Sequence, residues 1–107
     1  INLGEGGALV ILSREESPME LAGYGVTSDA HHASAPHPEG LQASCAMEKA
    51  LREARLMQED IDFVSAHGTA TPLNDAMEAK AVRRVLGENA EIDAAAVLSE
   101  RPAGIET

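Results

Sequence analysis

Residues 61–87 constrain the fold of this chain more than any other stretch. An apolar run, Ile61 to Ala66, leads through His67-Gly68-Thr69-Ala70-Thr71 into a helical segment that Gly87 ends. Asp75 and Glu78 fall in its first turn and Arg83 and Arg84 in its last, matching the helix dipole, with Thr71-Pro72 or Asn74 as the cap. A strand that turns through small residues into such a helix must pack that helix back onto a sheet. The rest of the chain fits this frame. Ala8 to Leu12 (ALVIL) reads as a strand buried on both faces. Met19 to Ser28 reads as a second strand, where Gly23 and Gly25 mark a bulge or a close backbone approach. Asp29 to Gly40, with two prolines and three histidines, is a loop. Leu41 to Arg55 has helical spacing, with Ala43, Ala46 or Met47, Ala50 or Leu51, and Ala54 on one stripe and a Glu48–Arg52 pair opposite. Ala94 to Leu98 completes a β-β-loop-α-β-α-β order, which predicts an α/β protein with helices packed on a sheet.

Composition narrows the interior and the partners. The 107 residues make one domain at most. Aromatic residues are 2%, Tyr24 and Phe63, so alanine and small aliphatic side chains must fill the core. The net charge of -10 argues against nucleic acid and against an anionic membrane surface. An acidic protein partner would need a basic patch. Lys49, Arg52 and Arg55, or Lys80, Arg83 and Arg84, could supply one, or could be solvated helix faces. No apolar run approaches a membrane span, and the opening INLGEGG, without a basic start, does not read as a signal peptide. The lone Cys45 excludes an internal disulfide, and a start at Ile1 reads as a fragment of a longer protein.

His67 is the leading site candidate. A neutral imidazole can donate a hydrogen bond to an oxyanion or enolate forming on a thioester carbonyl, and the hydroxyls of Thr69 and Thr71 can hold the amides of an extended substrate arm. The alternative is that His67 caps a strand while the threonines cap the helix. Asp75 and Glu78, three residues apart, could form an acid–base pair, half of an ion site, or first-turn helix acids. His31, His32 and His37 do not offer the closed ligand set that zinc requires, so no metal is expected. Cys45 lies on the apolar stripe of its helix and reads as an inert buried thiol rather than a nucleophile.

Four stretches resemble, in order, the β-ketoacyl-acyl carrier protein synthases, and in particular their type II elongating members. They are GEGGALVIL at 4–12, GYGVTSDAHHASAPHPEG at 23–40, AMEKALREA at 46–54 and DIDFVSAHGTATPLNDAMEAKAV at 60–82. The resemblance implies a thiolase-like α/β fold, here part of its C-terminal half, with a mixed sheet packed against helices. It implies a partial ketosynthase domain over residues 1–98 and a divergent tail over 99–107. His67 is similar to the first of two catalytic histidines. Thr69, Thr71 and Ser28 resemble contacts to the phosphopantetheine arm, and Glu78 and Asp29 resemble supports of the site. No cofactor is expected to be bound, the phosphopantetheine being carried by the acyl carrier protein substrate.

The departures from the family pattern are equally specific. Cys45 does not match the family's nucleophilic cysteine. The connection SREESP is shorter than the usual segment. After AAAVLS, Ser99 and Pro102 remain, Arg101 replaces a lysine, and no second histidine follows. The resemblance therefore implies a fragment of a cytoplasmic condensing enzyme. The parent would catalyse decarboxylative Claisen condensation of acyl and malonyl thioesters, with acyl carrier protein and a homodimer or complete synthase as partners. The chain alone would be inactive. The alternative is a catalytically inactive ketosynthase-like partner or binding module.

Overall fold

The computed structural model describes residues 4–88, 90, 92 and 93. Its regular elements run α1 (Leu41–Ala54), one 3-10 turn (Gln58–Asp60), β1 (Val64–Ser65), α2 (Pro72–Leu86) and β2 (Ile92–Asp93). β1 and β2 pair in parallel, Val64 opposite Ile92 and Ser65 opposite Asp93, and α2 is the crossover between them.

The core belongs to α2. Thr71 is extended (φ -106°, ψ 133°) and Pro72 takes the first helical position, where its missing N–H is not needed and its fixed φ suits the helix. The helix therefore starts from Thr71-Pro72 and not from Asn74. At the other end the Gly87 N–H donates to the Arg83 carbonyl at 2.9 Å. Ala79, Ala81 and Val82 are fully buried and Val85 nearly so, a stripe at helical spacing. Val82 is the largest fully buried side chain among the described residues. The interior is as small-grained as the shortage of aromatics requires.

α1 packs on α2 through a turn that only glycine can make. Gly40 has φ 59° and donates to the His37 carbonyl at 2.9 Å. A Cβ at this position would stand 2.9 Å from the Met77 carbonyl oxygen and 3.0 Å from Ala81 Cβ. The absent side chain is what lets the start of α1 lie against α2. The Gly40 carbonyl then accepts from both the backbone N–H and the hydroxyl of Ser44, each at 2.9 Å. α1 ends one residue earlier than its spacing predicts. Arg55 is left-handed (φ 58°) and lies outside the helix, and the Leu56 N–H closes the last turn on the Leu51 carbonyl at 3.0 Å.

Residues 23–28 lie extended along α1 in the opposite direction. Gly23, Gly25 and Thr27 are half-buried, while Tyr24, Val26 and Ser28 are exposed. A Cβ on Gly23 would approach the Ala50 carbonyl oxygen to 2.5 Å, and one on Gly25 would collide with the Ala46 carbonyl. Of the two expectations for these glycines, close backbone approach is the one realised. Side chains of α1 also hold the segment. Glu53 accepts from the Tyr24 N–H at 2.9 Å, Lys49 donates to the Val26 carbonyl at 3.2 Å, and the Thr27 hydroxyl donates to the Gln42 carbonyl at 2.7 Å.

Several expectations are corrected. Residues 8–12 belong to no strand, and Leu9 is 100% and Ile11 94% exposed. An all-apolar run needs a cover on both faces, and none is present among the described residues. Residues 19–28 are also unpaired, because α1 binds their backbone through side chains and not through a ladder. The strand expected over 61–66 contracts to Val64–Ser65, the length of its described partner. The described sheet is thus parallel and two-stranded. Glu48 and Arg52 do not form their expected pair among the described residues, and Cys45 is half-buried, not buried. The strand expected over 94–98 and the tail over 99–107 lie outside the described residues.

Candidate functional site

The loop between β1 and α2 is shaped by two left-handed residues, Gly68 (φ 51°) and Ala70 (φ 61°). The first reverses the chain as it leaves the strand, so that the N–H groups of His67 and Gly68 turn toward α2. There the Glu78 carboxylate, two turns into the helix, accepts both. His67 N–H meets Oε1 at 2.7 Å and Gly68 N–H meets Oε2 at 3.0 Å. Charge-assisted bonds of this kind are about twice as strong as neutral ones, and two on one carboxylate fix orientation as well as distance. The His67 side chain is exposed, and no side chain among the described residues engages its ring. A clamped backbone with a free imidazole is suited to presenting a ring N–H to an incoming oxygen.

The second left-handed residue brings the threonines together. With Ala70 between them, the Thr69 and Thr71 hydroxyls lie 2.9 Å apart and share a hydrogen bond. Thr71 occupies the position just before α2, yet its hydroxyl makes no capping bond. The helix-capping alternative therefore fails for Thr71, and its hydroxyl belongs to the loop. A non-glycine residue held left-handed costs on the order of 1 kcal/mol, which the surrounding contacts must offset.

Asp29 shapes the other predicted loop by accepting from the His37 N–H at 2.5 Å, which folds residues 29–37 back on themselves. His31 and His37 rings meet edge to face with centroids 4.7 Å apart. Nδ1 of His32 accepts from the Ser34 N–H and Nδ1 of His37 from the Glu39 N–H, so both rings serve loop geometry. Among the described residues no group of three or more His, Cys, Asp or Glu is placed to hold a metal ion. Ser28 is exposed at the entrance to this loop.

α2 anchors both loops. Its N-terminal half holds His67 and Gly68 through Glu78. Its C-terminal half holds residues 37–40. Lys80 donates to Glu39 at 3.0 Å and to the Pro38 carbonyl at 3.4 Å, and Arg84 donates to the Glu39 carbonyl at 2.6 Å. The hydrogen bond from Lys80, together with its charge, holds the Glu39 carboxyl below its ordinary 4.5. Lys80 and Arg84 are thus engaged in a latch between helix and loop. Asn74 was not singled out from the sequence as more than a cap, yet its amide donates to Glu78 at 3.2 Å and to Asp75 at 3.3 Å. Its distance of four residues from Glu78 was the available signal, since that spacing puts both on one helix face.

Comparison with known proteins identifies the family. The family profile described as the C-terminal domain of beta-ketoacyl synthase matches residues 19–103. The chain is 41% identical over 96 residues to the mitochondrial 3-oxoacyl-[acyl-carrier-protein] synthase of Arabidopsis thaliana, covering 82% of this chain and 21% of that protein. It is 38% identical over 97 residues to 3-oxoacyl-[acyl-carrier-protein] synthase 2 of Staphylococcus aureus, covering 83% of this chain and 24% of that one. This chain therefore spans about a fifth to a quarter of the length of these relatives. Its structure is similar to a chain in a complex of a ketosynthase with its chain length factor from Xenorhabdus doucetiae. That match has a TM-score of 0.71 at 46% identity and covers 74% of this chain and 20% of that one. It is also similar to a chain in a complex of a type II polyketide synthase acyl-carrier protein with its ketosynthase bound to the hexaketide. There the TM-score is 0.64 at 32% identity, covering 67% of this chain and 18% of that one. Profile, identity and backbone agree on a thiolase-like fold, and the chain belongs to the β-ketoacyl synthase family as part of its C-terminal domain.

Proposed function

We propose that this chain is a segment of a β-ketoacyl-acyl carrier protein synthase. The complete polypeptide would perform decarboxylative Claisen condensation of acyl and malonyl thioesters in fatty-acid or polyketide synthesis. The observation that carries this reading is the Glu78 clamp on His67 and Gly68, with an exposed His67 side chain followed in the same loop by a paired set of threonine hydroxyls. In the proposed reaction the malonyl carboxylate departs as carbon dioxide and its electron pair moves into the thioester carbonyl. The His67 ring N–H donates to the oxygen that gains charge. The resulting carbon nucleophile attacks the acyl thioester, a carbon–carbon bond forms, and the thiolate leaves with the carbon–sulfur electron pair. Thr69, Thr71 and Ser28 would contact the phosphopantetheine arm of the carrier protein, with Asp29 and Glu78 supporting the two loops.

Cys45, the one cysteine in these 107 residues, sits half-buried on α1. We assign the acyl-accepting thiol to the remainder of the longer polypeptide, so this chain alone forms no acyl-enzyme. An acyl carrier protein and a second synthase-like subunit are the partners this reading requires. The alternative of an inactive partner module is not favoured, because the relatives are named as synthases. The unpaired runs 8–12 and 19–28 would complete a mixed sheet once the remaining strands of the fold are in place.

The test is a titration of the isotopically labelled chain with malonyl-loaded acyl carrier protein. Resonances of residues 28–29 and 67–71 are expected to shift together. A response confined to other surfaces, or none at saturating carrier, would sink the assignment. A hydroxylamine-labile acyl adduct on Cys45 would overturn the placement of the nucleophile elsewhere.

A further inference from the structure

We propose that Asn74 is a positioning residue for His67, acting as the shared donor that keeps the Glu78 carboxylate on the His67 and Gly68 amides. The inference rests on the role proposed above for His67, but its geometry stands independently. Glu78 Oε2 accepts from Gly68 N–H at 3.0 Å and from Asn74 Nδ2 at 3.2 Å, while Oε1 accepts from His67 N–H at 2.7 Å. The same Asn74 nitrogen donates to Asp75 Oδ1 at 3.3 Å. An amide NH2 group has two protons, and here each has a carboxylate to itself. Asp75 is buried, with 6% exposure, and Asn74 is the side-chain partner of its carboxylate among the described residues.

Two carboxylates three residues apart on one helix face repel each other. One amide group between them donates to both carboxylates. Without that donor, Glu78 faces the Asp75 charge and keeps only backbone donors, and its flexible side chain gains by swinging toward solvent. The consequence falls on the loop. His67 N–H and Gly68 N–H lose their acceptor, and the backbone that aims the imidazole is released. Asn74 makes its hydrogen bonds to Glu78 and Asp75 and none to the His67 ring, so its effect passes through Glu78.

The experiment is amide hydrogen exchange and proton–nitrogen NMR on the whole chain, comparing wild type with Asn74→Ala, Asn74→Asp and Glu78→Gln. In the wild type the Asn74 side-chain amide should give two widely separated proton resonances protected from exchange. Both Asn74 variants should move the His67 and Gly68 amide protons upfield and speed their exchange by about tenfold or more, the factor corresponding to one lost bond to a charged group. The amides of Val82 and Val85 should keep their wild-type rates. Asn74→Asp, the same size with an acceptor where the donor was, should act at least as strongly as Asn74→Ala.

Unchanged His67 and Gly68 amides in both variants would overturn the proposal. So would equal acceleration along all of α2, which is what a merely helix-stabilising residue would give. A wild-type Asn74 amide that exchanges like a free side chain would overturn it without any variant, even if the substitutions prevent folding. None of these readouts involves carrier protein. If the amides behave as expected and carrier protein still leaves the loop unmoved, the functional reading fails and the positioning role stands.

Discussion

Residues 8–12 and α2 make an instructive pair. ALVIL has no polar side chain, while α2 carries Asn74, Asp75, Glu78, Lys80, Arg83 and Arg84, yet ALVIL is exposed and α2 holds the core. Apolar content sets what burial would contribute, about 25 cal/mol per Å² removed from water, but a surface must lie opposite before any of it is realised. α2 has that surface in α1 and in the Gly40 turn. Residues 8–12 have no such surface among the described residues. The segment at 23–28 is intermediate, with one side on α1 and the other open.

Substitutions can break this ranking. The largest effect should come from Gly40→Val, which combines a left-handed branched residue with overlap on Met77 and Ala81. A loss of about 3 kcal/mol is expected, read as a lower urea midpoint by circular dichroism. An unchanged midpoint would mean that the α1–α2 contact does not hold the region together. Val82→Ala should cost about 2 kcal/mol in the same measurement, for lost methyl groups and the cavity they leave. Gly25→Ala should act locally, at about 1 kcal/mol or less globally. Amide protection at Tyr24, whose N–H donates to Glu53, should vanish while Val82 stays protected, and joint loss at both would merge the two regions into one cooperative unit.

Leu9→Asp combined with Ile11→Asp should leave the midpoint within about 0.5 kcal/mol, and light scattering should show less self-association. A clear destabilisation would reveal contacts for residues 8–12 and dissolve the contrast. The smallest effect concerns acid. The Lys80 bond depresses the Glu39 carboxyl in the folded chain, so its contribution is present above the ordinary value of 4.5 and fades as pH falls through the lowered one. Glu39→Gln should therefore lower stability slightly above pH 4.5 and flatten the acid limb, so that the two profiles converge at lower pH. A variant profile parallel to wild type below pH 4.5 would rule the latch out as a titrating element.

The sequence made the helices legible because their signals are local. Pro72, Gly87 and the alanine spacing of 41–54 place them within a residue or so of their observed ends. The close approach at Gly23 and Gly25 was also readable, because a missing side chain in an apolar run has few other uses. The strands were less so. A run such as ALVIL records what a strand needs, and its partner lies elsewhere in the chain or outside these residues. The same distinction holds at the site. His67, Thr69, Thr71 and Glu78 stood out by spacing and by resemblance. That one carboxylate would grip two successive backbone amides depends on the left-handed turn at Gly68, and composition gives no value for that angle.

The contact between residues 23–27 and α1 works like a vernier. Two residues of extended chain advance about 6.6 Å and four residues of helix about 6.0 Å, so every second residue of one scale falls near every fourth of the other. Thr27, Gly25 and Gly23 accordingly meet the helix near Gln42, Ala46 and Ala50. The two scales slip by about 0.6 Å at each step. Over three marks that is tolerable, and over six it would approach the width of an atom. The pitch mismatch thus sets a maximum length for such a seam, and an insertion of one residue within either scale would put every mark beyond it out of line.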